Sequence, residues 1–300
     1  MFAYPLDEMV GGILYEHSHR MIASIVGLLT VVLAIWLWRR EERRWVRNLG
    51  FIAVAAVIAQ GILGGLTVRF LLPTPVSVSH ATLAQTFLAI MTAIALVTSP
   101  WWRDRSTLIP ELPASRRSLG LFSATVAALF IQLILGALMR HTESGLAVPD
   151  FPLAYGQLFP SLTPEAMADY NRQLLQSDIR IAADGAITSA QVVIHLTHRL
   201  WALVTGFLII WASIRLLRLS DVSRRISRMA YVLLGLLLLQ ITLGGLTVLS
   251  QKAVDITTAH VATGALLLAT TVLSMLHIVR ISGLRFSPLP VMAAPKGATT

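Results

Sequence analysis

The 300-residue sequence contains no cysteine. Disulfides, thiolate metal sites and thiol redox chemistry are therefore excluded. Charge is scarce as well: 13% of the residues are Asp, Glu, Lys or Arg, whereas 55% are hydrophobic. Soluble domains carry about 25% charged residues, so this is the composition of an integral membrane protein. No cleavable signal-peptide pattern precedes the first apolar stretch.

Seven stretches are long and apolar enough to cross a hydrocarbon core, which takes about 20 helical residues. They run approximately 21–38, 49–68, 80–98, 119–139, 194–214, 229–249 and 259–279. The net charge of +9 could suggest nucleic acid, but the positions of the charges argue against it. Segments 39–48, 100–118, 215–228 and the tail from Arg280 carry +3, +2, +4 and +3. By the positive-inside rule these alternate loops and the C-terminus are cytoplasmic. The connection 140–193, with three Arg against six acids, then lies outside together with residues 1–18. Multi-pass insertion in a cell (inner) membrane is expected, with the lipid bilayer as partner and no nucleic acid.

The chain repeats itself. QGILGGLTV at 60–68 matches QITLGGLTV at 240–248, and the same offset of 180 places His80 on His260. With a one-residue gap, EHSHRM at 16–21 falls on HLTHRL at 195–200, pairing His19 with His198 and Arg20 with Arg199. Equivalent helices run the same way, so the repeat is parallel. The helix 119–139 ends in a weaker echo, QLILGA, and has no counterpart ahead of the first unit. A complete repeat has four helices and the first unit shows three, which leads us to expect a missing leading helix. The expected fold is an all-α integral membrane protein of two pseudo-symmetric four-helix bundles, with seven transmembrane helices in this chain. Its parts are an N-terminal half-bundle (1–99), a cytoplasmic linker (100–118), a C-terminal bundle (119–280) with the outer loop 140–193, and a tail (281–300). Within the loop, PDFPLAYGQLFP is expected to form an ordered cap and 163–190 a short surface helix. The tail after Pro288 has the composition of a disordered segment.

His19, His80, His198 and His260 are expected at the outer helix ends, two per unit, facing each other at one depth. Paired imidazoles across a helical bundle match the axial ligation of a haem iron. Zinc fits less well, because catalytic zinc takes three protein ligands. Gly64, Gly65, Gly244 and Gly245 would let a macrocycle approach the backbone, and Arg20 and Arg199 could pair with propionates. A lone interfacial histidine more often hydrogen-bonds or snorkels than ligates; repetition in two units favours ligation. His17, His141, His195 and His277 keep the structural reading, His141 in a loop and His277 at a cytoplasmic helix end. Gln60 and Gln240 read as interhelical glue rather than haem partners. Glu16, one turn before His19, has His195 as its repeat partner. The difference suggests one site for chemistry and one for electron transfer, against the alternative of a carboxylate at a helix N-terminus.

These residues resemble the haem A synthase family: Glu16-x-x-His19-Arg20, His80, His195-x-x-His198-Arg199, His260 and the loop RHTESGLAVPDFPL. The resemblance covers residue 6 to about 280. It implies an eight-helix protein with substrate haem O in the N-terminal half and haem B in the C-terminal half. The activity it implies is oxidation of the C8 methyl of haem O to the formyl group of haem A, by successive hydroxylations and loss of water from a geminal diol. By motif, His19 and His80 are the iron ligands at the substrate, His198 and His260 those at haem B, and Glu16 is the catalytic acid. Haem O synthase and cytochrome oxidase assembly proteins are the implied partners, and a homo-oligomer is left open. The family's first helix has no counterpart here, and MFAYPLDEMVGG resembles the end of the loop that follows it. The cysteine pair of some members is also absent. The competing readings are a dihaem b-type electron-transfer protein and a haem carrier.

Overall fold

The computed structural model describes residues 12–70, 73–104, 115–177, 179, 186–219 and 224–282. The expectations for the leading segment 1–11 and for the tail after Pro288 lie outside the described residues. The main elements are helices: α1 (Gly12–Arg40), α2 (Arg44–Arg69), α3 (Thr74–Val97), α4 (Pro100–Arg103), α5 (Ser115–His141), α6 (Pro164–Gln176), α7 (Ser189–Leu217), α8 (Arg224–Leu249) and α9 (Val254–Ile281). All except α4 and α6 are long and apolar enough to span a membrane.

Each spanning helix outruns its apolar stretch by several residues. Hydropathy marks only the segment that must avoid water, whereas a helix continues into the interface while each added residue still gains a backbone hydrogen bond. The histidines consequently do not sit at helix mouths, as the sequence had suggested. His19, His80 and His260 lie six or seven residues inside α1, α3 and α9, and His198 lies nine inside α7. At 1.5 Å per residue that is about 9–14 Å from the helix start. His141 belongs to the last turn of α5, where its carbonyl accepts from Thr74 Oγ1 at 3.1 Å, rather than to a loop.

Helices α5, α7, α8 and α9 contact one another in a closed circuit, α5 to α7, α7 to α8, α8 to α9 and α9 to α5. Helix α1 packs on α2 and α2 on α3, and α3 joins this group to the circuit through α5 and α9. Half of the most apolar window of α9 is buried, against 11–33% in the other spans, because α9 packs on α3 as well as on α5 and α8. At the end away from the histidines, Phe122, Ile209, Leu216, Leu233, Leu268 and Ile278 form its apolar core. Helix α1 turns Met21, Ile25, Leu28, Val32 and Ile35 outward, as a lipid-facing surface does.

The charge run 39–44 reads as solvated, yet Glu41 is buried. Its carboxylate accepts from Arg43 Nε at 2.7 Å and Arg43 NH2 at 2.8 Å, and from Arg103 NH2 at 3.1 Å. Arg43 NH2 also donates to Val97 O at 2.9 Å, tying the α1–α2 turn to the end of α3. These bonds, Arg43 first, hold the Glu41 carboxyl at a pKa of about 2, below its ordinary 4.5. Its contribution to stability is thus complete above pH 4.5 and is lost as the pH falls toward 2. Glu41→Gln should cost about 2 kcal/mol at pH 7 and remove that acid dependence. Thermal unfolding in detergent at pH 3 and pH 7 checks this; an unchanged difference between the two pH values refutes it.

Candidate functional site

One local device recurs three times at the histidine end. In α2, α5 and α8 a glutamine precedes a glycine by four residues, which puts both on one helix face. Gly64 faces His80, Gly136 faces His198 and Gly244 faces His260. A Cβ at these glycines would stand 3.3, 3.2 and 3.1 Å from the imidazole Cε1, tighter than ordinary contact. The glycines therefore clear room for the ring. The glutamines reach the same rings: Gln132 Nε2 lies 3.3 and 3.2 Å from the two nitrogens of His198 and donates to His198 O at 3.2 Å. Gln240 Nε2 lies 3.3 Å from His260 Nε2. Gln132 was legible only as the weak echo QLILGA.

The loop between α5 and α6 packs against α7 and α8. A 3-10 turn (Ser144–Leu146) follows α5, and the Asp150 carboxylate accepts from Tyr155 N at 2.8 Å and Gly156 N at 2.9 Å. Both Tyr155 and Gly156 have positive φ, and Asp150 bonds to the turn that holds them so. Tyr155 stacks on Tyr170 of α6 with ring centres 3.7 Å apart, and its hydroxyl donates to Ala147 O at 2.8 Å. Burial, then the Asp150 charge, pushes that hydroxyl above its ordinary pKa, so it stays a donor at neutral pH. The segment PDFPLAYGQLFP is therefore ordered where it meets α6 and α7. The surface helix expected within 163–190 is α6, whose Thr163 N-cap accepts from Ala166 N.

Arg199 fastens this loop. Its Nε donates to His195 Nε2 at 2.9 Å, NH1 to Leu153 O at 2.9 Å, and NH2 to Val148 O at 3.0 Å and Asp150 O at 2.7 Å. Four of its five N–H groups are thus used on backbone and imidazole, where the sequence pointed to carboxylates. His195, 1% exposed, sits with Nδ1 3.0 Å from Ser144 O. Accepting from Arg199 and donating to Ser144 makes it a neutral ring with the proton on Nδ1. Below the guanidinium, Phe151 lies against Gly245 at 3.1 Å from where a Cβ would stand. Gly65, its counterpart in α2, has no neighbour within 4 Å among the described residues.

The other pair is built differently. Arg20 on α1 donates to the Glu16 carboxylate, the position that His195 holds in the repeat. Glu16 and His19 are exposed, His17 and His80 half-buried. An exposed acid thus stands one turn from His19, whereas His198 has a buried neutral imidazole in that place.

Among the described residues no three His, Asp or Glu side chains converge as a bare metal ion would require. A haem iron takes two protein ligands, and the repeat supplies two imidazoles in each unit, His19 with His80 and His198 with His260. Nδ1 of His80 and Nδ1 of His260 are buried without a hydrogen-bond partner. Such an orphaned group costs about 1–3 kcal/mol, which coordination, or a hydrogen bond drawn in by it, would offset. The residues present fit two bis-histidine sites.

Residues 2–272 match the family model described as cytochrome oxidase assembly protein. The chain is 29% identical over 289 residues to the haem A synthase of Rhodopseudomonas palustris, covering 94% of this chain and 73% of that one. It is 28% identical over 259 residues to that of Shewanella oneidensis, covering 86% and 74%. With the haem A synthase of Halalkalibacterium halodurans the identity is 32% over 152 residues, 49% of each chain. The chain spans about half the length of that relative and of others like it.

Proposed function

The chain belongs to the cytochrome oxidase assembly protein family, and from that premise we propose that it is a haem A synthase, an oxidoreductase that converts the C8 methyl of haem O to a formyl group. His19 and His80 hold the substrate, and His198 and His260 hold a haem B whose iron supplies one-electron transfer. Glu16 is the acid that moves protons at the substrate. The observation that carries this division is the difference between the two arginines. Arg20 engages an exposed carboxylate, while Arg199 engages a buried neutral imidazole and the carbonyls of a covering loop. An acid in contact with solvent can exchange protons; a neutral imidazole with both nitrogens occupied cannot. The C-terminal pair has the enclosure that suits a resident electron carrier, and the N-terminal pair the access that suits a substrate.

Expression in a host that makes haem O but no haem A, followed by extraction and chromatography of the haems, tests the proposal. Haem A or its hydroxylated precursor is the expected product. Bound haem B with neither of these would make the protein a dihaem electron carrier instead.

A further inference from the structure

The three glutamines carry a second observation that packing between helices leaves unexplained. Oε1 of Gln60, Gln132 and Gln240 is buried in each case without a donor. An amide that only bridged helices would satisfy its oxygen, which is the better acceptor of its two ends. Each orphaned oxygen belongs to a carboxamide one helical turn before the glycine on which an imidazole rests. In two of the three the amide nitrogen already stands at hydrogen-bond distance from that ring. A half-turn of the amide about its last bond exchanges nitrogen for oxygen without moving the helix. An imidazole that gives one nitrogen to iron carries its proton on the other and needs an acceptor for it.

We infer that Gln60, Gln132 and Gln240 are positioning residues for His80, His198 and His260: each carboxamide oxygen accepts the N–H of the non-ligating imidazole nitrogen. This assignment rests on the bis-histidine reading above. The bond fixes the ring's rotation, which the glycine leaves room for but does not itself determine. It also draws the proton away from the ring, makes the nitrogen on iron a stronger electron donor and favours the oxidised iron.

The test uses the purified full chain loaded with haem B, with Gln240→Leu and Gln240→Glu, and reads the midpoint potential of the optical component that disappears in His260→Ala. Gln240→Leu removes the acceptor and should raise that potential, shifting the one-electron equilibrium about tenfold, about 59 mV. Gln240→Glu supplies a stronger acceptor and should lower it. Shifts of opposite sign are the signature, since a packing defect moves both variants the same way. If Gln240→Leu alone loses haem, Gln240→Met, which also lacks an acceptor, must raise the potential for the assignment to stand, because a carboxylate at this position lowers it by its charge alone. Unchanged potentials, shifts of the same sign, or loss of haem from both variants overturn it and leave the bis-histidine reading standing. An unsubstituted chain that binds no haem B overturns both.

Discussion

Glu16→Ala is expected to abolish formation of haem A while leaving bound haem in place. General acid–base groups contribute about 10²–10⁴-fold, so turnover should fall by at least a hundredfold. The structure separates this from a folding defect. Glu16 makes an exposed i,i+4 pair with Arg20 on a single helix, and such pairs contribute about 0.5 kcal/mol. Its loss leaves every helix contact unchanged. Neither His19 nor His80 hydrogen-bonds to it, so the ligand pair survives. The measurement is haem content by absorbance alongside haem A by chromatography in one preparation. Haem lost together with activity would make the acid structural. Glu16→Gln sharpens the result, since its carboxamide oxygen can still accept from Arg20 while the charge and the titratable proton are lost.

Arg199→Met is expected to free the outer loop. The substitution keeps an apolar stem but withdraws donors from three carbonyls and from His195. Charged donors to buried acceptors contribute about 1.5–3 kcal/mol each and do not simply add. A net loss near 3 kcal/mol corresponds to about a hundredfold loss of amide protection over 147–156 in hydrogen exchange. Phe151 then loses the cation above it and its seat on Gly245, and on the proposed function haem B should dissociate faster. Arg199→Lys should rescue little, because an ammonium cannot span three carbonyls and an imidazole as a planar fork does. Arg20→Met is the control and should leave loop exchange unchanged. Equal protection in Arg199→Met and the parent would show that the Asp150 turn and the Tyr155–Tyr170 stack hold the loop unaided.

The seven spans were legible because each needs a continuous apolar run, a property of local composition. His19, His80, His198 and His260 could be paired because the chain repeats, and repetition is visible without any contact. What escaped depends on contacts between distant residues. The acceptors of Arg199 lie 46–51 residues earlier, in a loop whose path no periodicity predicts. Glu41 sits in a run that reads as solvated until Arg103, 62 residues on, closes over it. Gln60 and Gln240 read as glue between helices, because sequence shows that two polar residues occupy equivalent positions but not that an imidazole occupies the space beside them. His195 keeps the structural reading of a hydrogen-bonded imidazole, and its spacing of four from Arg199 is the same as that of Glu16 from Arg20.

Gly245 is covered by Phe151, whereas Gly65 is bare among the described residues, and this difference has a kinetic meaning. A ligand under a fastened loop leaves only as often as the loop opens, so its exchange rate is set by the free energy of that opening, whatever its own affinity. A ligand beside an uncovered helix face leaves at the rate set by its own contacts. On the proposed function, the covered face would then give the C-terminal haem site the slower exchange of the two.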